Sequence, residues 1–499
     1  MAKVVVIGAG MGGLSAAARL RAKGHEVLIC EQSGTLGGKL ARYAQDGFVF
    51  DTGPSLLTLP AVYRDLFLKT GGALEDSIDI QGLDTAFAYT WSDGAHARLP
   101  GVGPARIAAS LGDALGGSAE DDWRRFIERA GRMWAVTRRP FLEAPLKGWR
   151  TLAPLARDAD ALRTVAPWKT LRGVARQYLH DPRLITLADR YATYAGSDPR
   201  RAPAVLATIP YVEQTFGAWH ISGGLATLAD ALVKRCTDIG VEFHTDCDVR
   251  TILSNDTGAH GVRLTDGTKI SADIVVANAD ASTVYGSMVT DQRAGPARRK
   301  LKRAIPSLAG FVLMLAVRGR TPGVAHHNVW FPANYDAEFD AIFSRRAHAV
   351  DDPTIYACVP DDPKMRPDDD HESWFILVNA PRHSESPGTG EIDWCEEGKA
   401  ERYADHIVAR LAERGVDLRS RILWRQIRTP ADLQASARAP GGSIYGTSSN
   451  GARSAFLRPA NVSPVPGLFL VGGSSHPGGG LPLVAMSGDI VAATIGRAT

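Results

Sequence analysis

Three glycine-rich stretches and one acid carry the clearest chemistry in this chain of 499 residues. The first is Gly8-x-Gly10-x-x-Gly13, with Gly12 inside it. Glycines at this spacing suit a pyrophosphate. Gly8 allows a sharp turn out of a strand, Gly10 lets backbone approach the phosphates without a Cβ, and Gly13 lets the following helix pack close to that strand. The helix then presents free N–H groups and the positive end of its dipole to the phosphates. Glu31 lies 23 positions after Gly8, where a carboxylate accepts hydrogen bonds from an adenosine ribose. The second stretch, Gly37-Gly38-Lys39, suits a backbone laid along a cofactor, with Lys39 near its phosphates. The third, residues 472–480, runs Gly-Gly-Ser-Ser-His-Pro-Gly-Gly-Gly and leads into Leu481 and Pro482. Candidates for acid–base work are few: His476 in that third stretch, and Glu213 and His220 ahead of Gly223-Gly224. No nucleophile–base pair and no metal-ligand spacing accompanies them.

The elements that must position these residues follow from local pattern. Residues 4–7 are an apolar run, read as a buried parallel strand, and a helix follows through Ala16, Ala17, Ala18 and Leu20. Gly24 closes that helix, and 25–30 is the second strand, with Glu31 at its end. Residues 48–51 alternate like a short strand that Gly53-Pro54-Ser55 terminates, before helical spacing returns at 61–67. After a long insertion the strand–helix–strand pattern resumes. A helix carries Leu228, Ala229, Leu232 and Val233 on one face, then 241–245 and 249–253 read as strands. Residues 261–264 and 269–278 are expected to form a hairpin across Asp266-Gly267. A second strand-rich region spans 305–330 and 374–381, followed by an amphipathic helix at 396–414, and 360–372 reads as an acidic surface loop. Residues 468–471 are a buried strand, and Pro482 suits the first turn of a helix reaching about 495. The implied order is a cofactor domain in three pieces (1–100, 216–300 and 441–499), a helical segment at 101–215 and a substrate domain at 301–440.

Residues 123–176 differ from the rest. They hold thirteen Lys or Arg against four acidic side chains, with Trp123, Trp134, Trp149 and Trp168 interleaved. That mixture suits a helical element on an anionic membrane surface. A solvated cap with a few core tryptophans explains it equally well, and nucleic acid is disfavoured because no nucleic-acid fold signature is present.

Composition narrows the class. Hydrophobic residues at 44% and charged residues at 22% exclude wholesale disorder. Five cysteines without C-x-x-C pairing read as reduced thiols of a cytoplasmic protein. Glycines interrupt the first apolar stretch, which argues against a secretory signal, and no apolar run reaches spanning length.

On these motifs the chain resembles the bacterial-type carotenoid (phytoene) desaturases of the flavin amine-oxidase-like superfamily over nearly its whole length. The general part of the resemblance is Gly8-x-Gly10-x-x-Gly13 with Glu31, Gly37-Gly38-Lys39 and Phe50-Asp51-x-Gly53-Pro54. The specific part is the terminal His476-Pro477-Gly478-Gly479-Gly480-Leu481-Pro482, with Tyr194-x-Gly196-x-x-Pro199, Trp219 and Gly223-Gly224 fitting as well. Gly472-Gly473-Ser474, and Leu483 after Pro482, look more like relatives acting later on carotenoids: hydroxycarotenoid 3,4-desaturases and terminal carotenoid oxidases. The resemblance implies an α/β fold with a discontinuous Rossmann-like FAD-binding domain, a mixed-sheet substrate domain and a helical membrane-facing lid. It implies non-covalent FAD rather than NADP, held by Gly8, Gly10, Gly12, Gly13, Glu31, Gly38, Lys39, Pro54, Ser55, Val249, Gly473, Gly480, Leu481 and Pro482. The positive end of the carboxy-terminal helix would stabilise the anionic reduced flavin. The implied activity is introduction of double bonds into a carotenoid or its precursor by hydride transfer to flavin, with oxygen or a quinone as electron acceptor. The apolar polyene would be drawn from a membrane to which the protein is peripherally attached. Terminal oxidation and hydroxycarotenoid desaturation stay open, and oxidation of an amine or porphyrin and a non-catalytic prenyl-lipid escort are the more remote alternatives.

Overall fold

The computed structural model describes residues 1–146, 158–451, 454 and 458–498. Lys147, Trp149, Arg150 and Arg157 of the basic segment lie outside them.

Two sheets organise the chain. The first has five parallel strands in the order Leu468–Leu470, Ile274–Ala277, Lys3–Ile7, Glu26–Cys30, Glu242–His244. Val4, Val5 and Val6 are completely buried. Burial on both faces is what an apolar run without alternation requires, and a parallel sheet flanked by helices supplies it. Helix Met11–Ala22 covers one face and packs against the carboxy-terminal helix Leu481–Ile495. Small residues set their spacing: a Cβ on Gly488 would lie 2.7 Å from the Ala16 nitrogen. Three distant segments therefore build one parallel sheet with its flanking helices.

The hairpin expectation for 269–278 needs correction. Only Lys269–Ser271 pairs back onto Gly258–Leu264. The chain then leaves for the parallel sheet as Ile274–Ala277, beside Lys3–Ile7. Asp273 fixes the switch, because its N–H donates to the Lys3 carbonyl at 2.9 Å and its carboxylate accepts from the Lys3 N–H at 2.8 Å.

The second sheet has seven strands in the order Ile422–Arg428, Ala309–Arg318, His371–Ala380, Ile355–Cys358, His327–Trp330, Thr85–Thr90, His96–Pro100. Its pairs are antiparallel except His327–Trp330 with Thr85–Thr90. Residues 85–100, grouped above with the first cofactor segment, thus belong to this mixed sheet. Phe87 and Tyr89 stack on each other within the core shared with the helical insertion.

The helical insertion includes Pro104–Leu115, Ala119–Thr137, Leu171–Tyr178, Pro182–Arg190 and Thr208–Phe216. Trp123 is fully buried there and its indole N–H donates to Gln214 at 3.2 Å, so it is core rather than a membrane-facing group. Trp168 is 62% exposed. Arg124 pairs with Asp121 and Glu128, and Arg125 with buried Asp122. Two of those acids stand just ahead of residue 123, so the count that began there overstated the free positive charge. No described helix is long and apolar enough to cross a membrane.

Candidate functional site

The three glycine stretches meet at one point. Gly8 turns the chain with φ +91°, and a Cβ on Gly13 would lie 2.2 Å from the Gly8 carbonyl oxygen. Gly38 packs on Gly10, where an added Cβ would stand 2.9 Å from the Gly10 Cα. Gly12 packs on Gly472, at 2.8 Å by the same measure. Asn278, the residue after strand Ile274–Ala277, sits among them and donates its amide to the Gly8 carbonyl at 3.3 Å. Sequence reading passed over this asparagine. Its signal was a polar residue closing an otherwise apolar strand.

Two helix starts open beside this junction. Met11, Gly12 and Gly13 are buried, and none of their N–H groups has a partner among the described residues. Buried N–H groups without acceptors are costly, and a pyrophosphate at this helix end is the group that satisfies them. At the other helix, Gly480 has φ +110° with no atom within 4 Å of an added Cβ. Leu481 and Leu483 likewise have N–H groups without a described partner, and the Leu481 carbonyl accepts from Tyr63 at 2.8 Å. Gly473 lies against Gly479, and Pro482 stands in the first turn.

Glu31 is 7% exposed. Its carboxylate accepts from the Ala9 N–H at 2.7 Å and from the Ser33 N–H and hydroxyl, each at 3.0 Å. These bonds hold it at the rim of the glycine turn and leave lone-pair capacity for a ribose hydroxyl. Val249 is buried in the same corner, two residues after Cys247, whose N–H donates to the Glu31 carbonyl at 2.8 Å. Lys39 places its backbone along Gly53, but its ammonium reaches the carbonyls of Ile444 at 3.0 Å and Ser443 at 3.5 Å. Burial holds that ammonium below its ordinary pKa.

The Lys39 side chain is nonetheless accessible. Tyr194, His326, Tyr356, Tyr445 and Arg458 are partly accessible as well. Arg190 lies over the Tyr194 and Tyr356 rings, and Tyr356 is bonded to His327 beside His326, so these partly accessible side chains border a common hollow. The Tyr445 ring lies between Gly196 and Gly479, where added Cβ atoms would stand 2.9 and 2.3 Å from its carbons. Arg458 braces the same wall by donating to the carbonyls of Tyr445, Thr447 and Gly473. Ser55, beside Pro54, shares a 2.6 Å hydrogen bond with the Tyr356 hydroxyl. The FAD expected above fits these residues: glycines that tolerate no Cβ, unspent N–H groups at two helix starts, an acid at the ribose position and partly accessible Tyr445 beside the third glycine stretch.

The acid–base candidates do not converge. Glu213 lies behind the hollow's wall, accepting from Tyr191 at 2.6 Å and Tyr194 at 3.3 Å. Burial pushes its pKa up to about 7 against those donors and nearby Arg190. Arg190 itself donates to Tyr194 at 2.7 Å and lies over the rings of Phe87, Tyr89, Tyr194 and Tyr356. His220 is bound through Nε2 to Asp362 at 2.8 Å. That aspartate belongs to the expected acidic surface loop, but its side chain is buried and also accepts from the Gly223 N–H. His476 is bonded through Nε2 to the Ala144 carbonyl at 3.0 Å, and burial pulls its pKa down to about 4. It therefore ties the third glycine stretch to the helical insertion and is not disposed as a base.

Residues 11–334 match the family described as flavin containing amine oxidoreductase. The chain is 32% identical to 4,4'-diapolycopene oxygenase of Methylomonas sp over 98% of its length and 97% of the relative's. It is 32% identical to hydroxyneurosporene desaturase of Rubrivivax gelatinosus, over 99% of this chain and 93% of that one. Among solved structures it superposes on an oxidoreductase from Methanosarcina mazei with TM-score 0.64 at 18% identity, covering 98% of this chain and 99% of that one. Putrescine oxidase bound to putrescine gives TM-score 0.64 at 16% identity, covering 99% and 98%. At such identities the structural likeness speaks for the fold alone.

Proposed function

We propose, for a chain that belongs to the flavin-containing amine oxidoreductase family, the FAD-dependent oxidation of a carotenoid, with removal of two hydrogens across a C–C bond as the reaction. The observation that carries this reading is the meeting of the three glycine stretches beside Glu31, with the partly accessible Tyr194, Tyr356 and Tyr445 next to them. FAD bound there supplies a two-electron acceptor. The chain's own residues cradle its pyrophosphate, hold an apolar substrate against it and exclude water. Length-spanning relatives named for carotenoid substrates support the polyene over an amine. Relatives named as oxygenases keep terminal oxidation as a second outcome of the same site.

Delivery of such a substrate through water is unfavourable, at about 0.8 kcal/mol per CH₂ exposed. Peripheral attachment of a cytoplasmic protein to a membrane through the helical insertion, with exposed Trp168 among its contacts, meets that requirement. Oxygen or a quinone serves as the electron acceptor. The test incubates FAD-loaded protein in liposomes with phytoene, neurosporene, a 1-hydroxylated carotenoid and lycopene. A product lacking two hydrogens supports desaturation, and one with a new terminal oxygen assigns terminal oxidation. Unchanged pigments together with turnover of an amine overturn the carotenoid reading.

A further inference from the structure

Beside the hollow, His326, His327 and Cys358 bring a ring nitrogen each and a thiol within 4.8 Å of one another. Pairing of the strands explains the meeting. His327 stands directly opposite Cys358 across strands His327–Trp330 and Ile355–Cys358. The Val359 N–H donates to the His326 carbonyl at 2.8 Å and holds the preceding residue in place.

Each imidazole keeps a ring nitrogen that the described residues do not use. His327 is fully buried, with Nδ1 at 2.8 Å from the Tyr356 hydroxyl and Nε2 without a partner. The His326 ring touches the rings of His220 and His327 but makes no hydrogen bond among the described residues. The buried His327 Nε2 left unpaired costs about 1–3 kcal/mol, so this imidazole, placed beside a thiol and a second histidine, is expensive without a common partner.

We propose that His326, His327 and Cys358 form a binding site for a borderline-soft divalent cation of the zinc class. Two nitrogens and one sulfur are the donor set such ions select. Tetrahedral ligands around zinc stand roughly 3.3–3.7 Å apart, so the ion needs to draw these atoms together by at most about 1.5 Å. The Tyr356 hydroxyl then acts as the outer partner that fixes the His327 ring, as metal-bound histidines generally require. Three protein ligands leave one coordination position, and His326 is the ligand that borders the hollow. The site is independent of which substrate the enzyme oxidises.

The experiment uses the full chain loaded with FAD, stripped with chelator and dialysed against zinc or cobalt. One ion per chain is expected, with a thiolate-to-metal charge-transfer band in the cobalt form. Cys358→Ser removes that band and weakens retention at least tenfold, and His326→Gln weakens retention comparably, while the flavin spectrum in both shows the cofactor domain intact. A second His–Asp–Cys group, His383, Asp393 and Cys395, lies elsewhere, so Cys395→Ser is the control and keeps the band. Substoichiometric metal in the parent, or a band that survives Cys358→Ser and disappears in Cys395→Ser, overturns the assignment. If Cys358→Ser fails to fold, undiminished retention by His326→Gln overturns it as well.

Discussion

Replacing Glu31 by Ala separates two roles that the structure gives one carboxylate. Toward the protein, it accepts from the Ala9 N–H at 2.7 Å and twice from Ser33 at 3.0 Å. Ser33 is partly accessible and water can replace its partner. The Ala9 N–H lies at a completely buried residue and is left unpaired, at a cost of about 1–3 kcal/mol to the cofactor-free fold. Toward the cofactor, the loss is a charge-assisted bond to the ribose of roughly 1.5–3 kcal/mol, which weakens FAD binding about ten- to a hundredfold. Thermal unfolding without FAD reads the first effect, and fluorescence titration of apoprotein with FAD reads the second. Glu31→Gln keeps one acceptor oxygen but turns an amide donor toward the remaining N–H or hydroxyl, so it falls between parent and Ala variant in both measurements. A lowered melting temperature with unchanged FAD affinity would reduce Glu31 to a clamp on the glycine turn. Unchanged affinity and unchanged melting together would refute the reasoning entirely.

Two further outcomes follow from the insertion. Glu213 is held protonated to about pH 7 in the fold, above its unfolded value, so the folded state binds the extra proton and stability falls as pH rises from the unfolded pKa through 7. Glu213→Gln should flatten that decline and, at pH 8, unfold at higher denaturant than the parent by up to about 3 kcal/mol; a parent whose stability is level from pH 5 to 8 contradicts this. On the membrane side, Arg132 and Arg139 are exposed without an ion-pair partner among the described residues, unlike Arg124 and Arg125. Reversing both to Glu should lower recovery on anionic vesicles several-fold at low salt, at about 1 kcal/mol per basic residue removed, and equal sedimentation of variant and parent would leave the insertion a solvated cap.

The cofactor half of this molecule was legible because backbone does the work there. A pyrophosphate cradle is made of N–H groups, and the residues that expose backbone are glycines at fixed offsets, so Gly8, Gly10, Gly13 and Glu31 declare it within 31 residues. What stayed hidden was the partner of each glycine. Gly12 is required by Gly472, Gly10 by Asn278 and Gly38 by Gly10, contacts that exist only once five strands are in order. The strand at 269–278 was misjudged for the same reason. Its hydrophobic pattern is continuous, while the switch from one sheet to the other rests on Asp273 meeting Lys3.

The substrate half uses side chains, and side chains carry no local signature when five segments each contribute one. Tyr194 comes from the insertion, Tyr356 and His326 from the mixed sheet, and Tyr445 and Arg458 from the approach to the carboxy-terminal strand. The joining bonds span the chain: Ser55 to Tyr356, and His476 to Ala144. Even the charge reading turned on neighbours, because Asp121 and Asp122 sit immediately outside the segment whose arginines they neutralise. Conversely, the doublet His326-His327 was in plain view and meant nothing alone. Pairing of His327–Trp330 with Ile355–Cys358 gives it a thiol, and packing of Trp219–Ile221 brings His220 against it. Composition can count imidazoles, but only strand register decides which of them share a ligand.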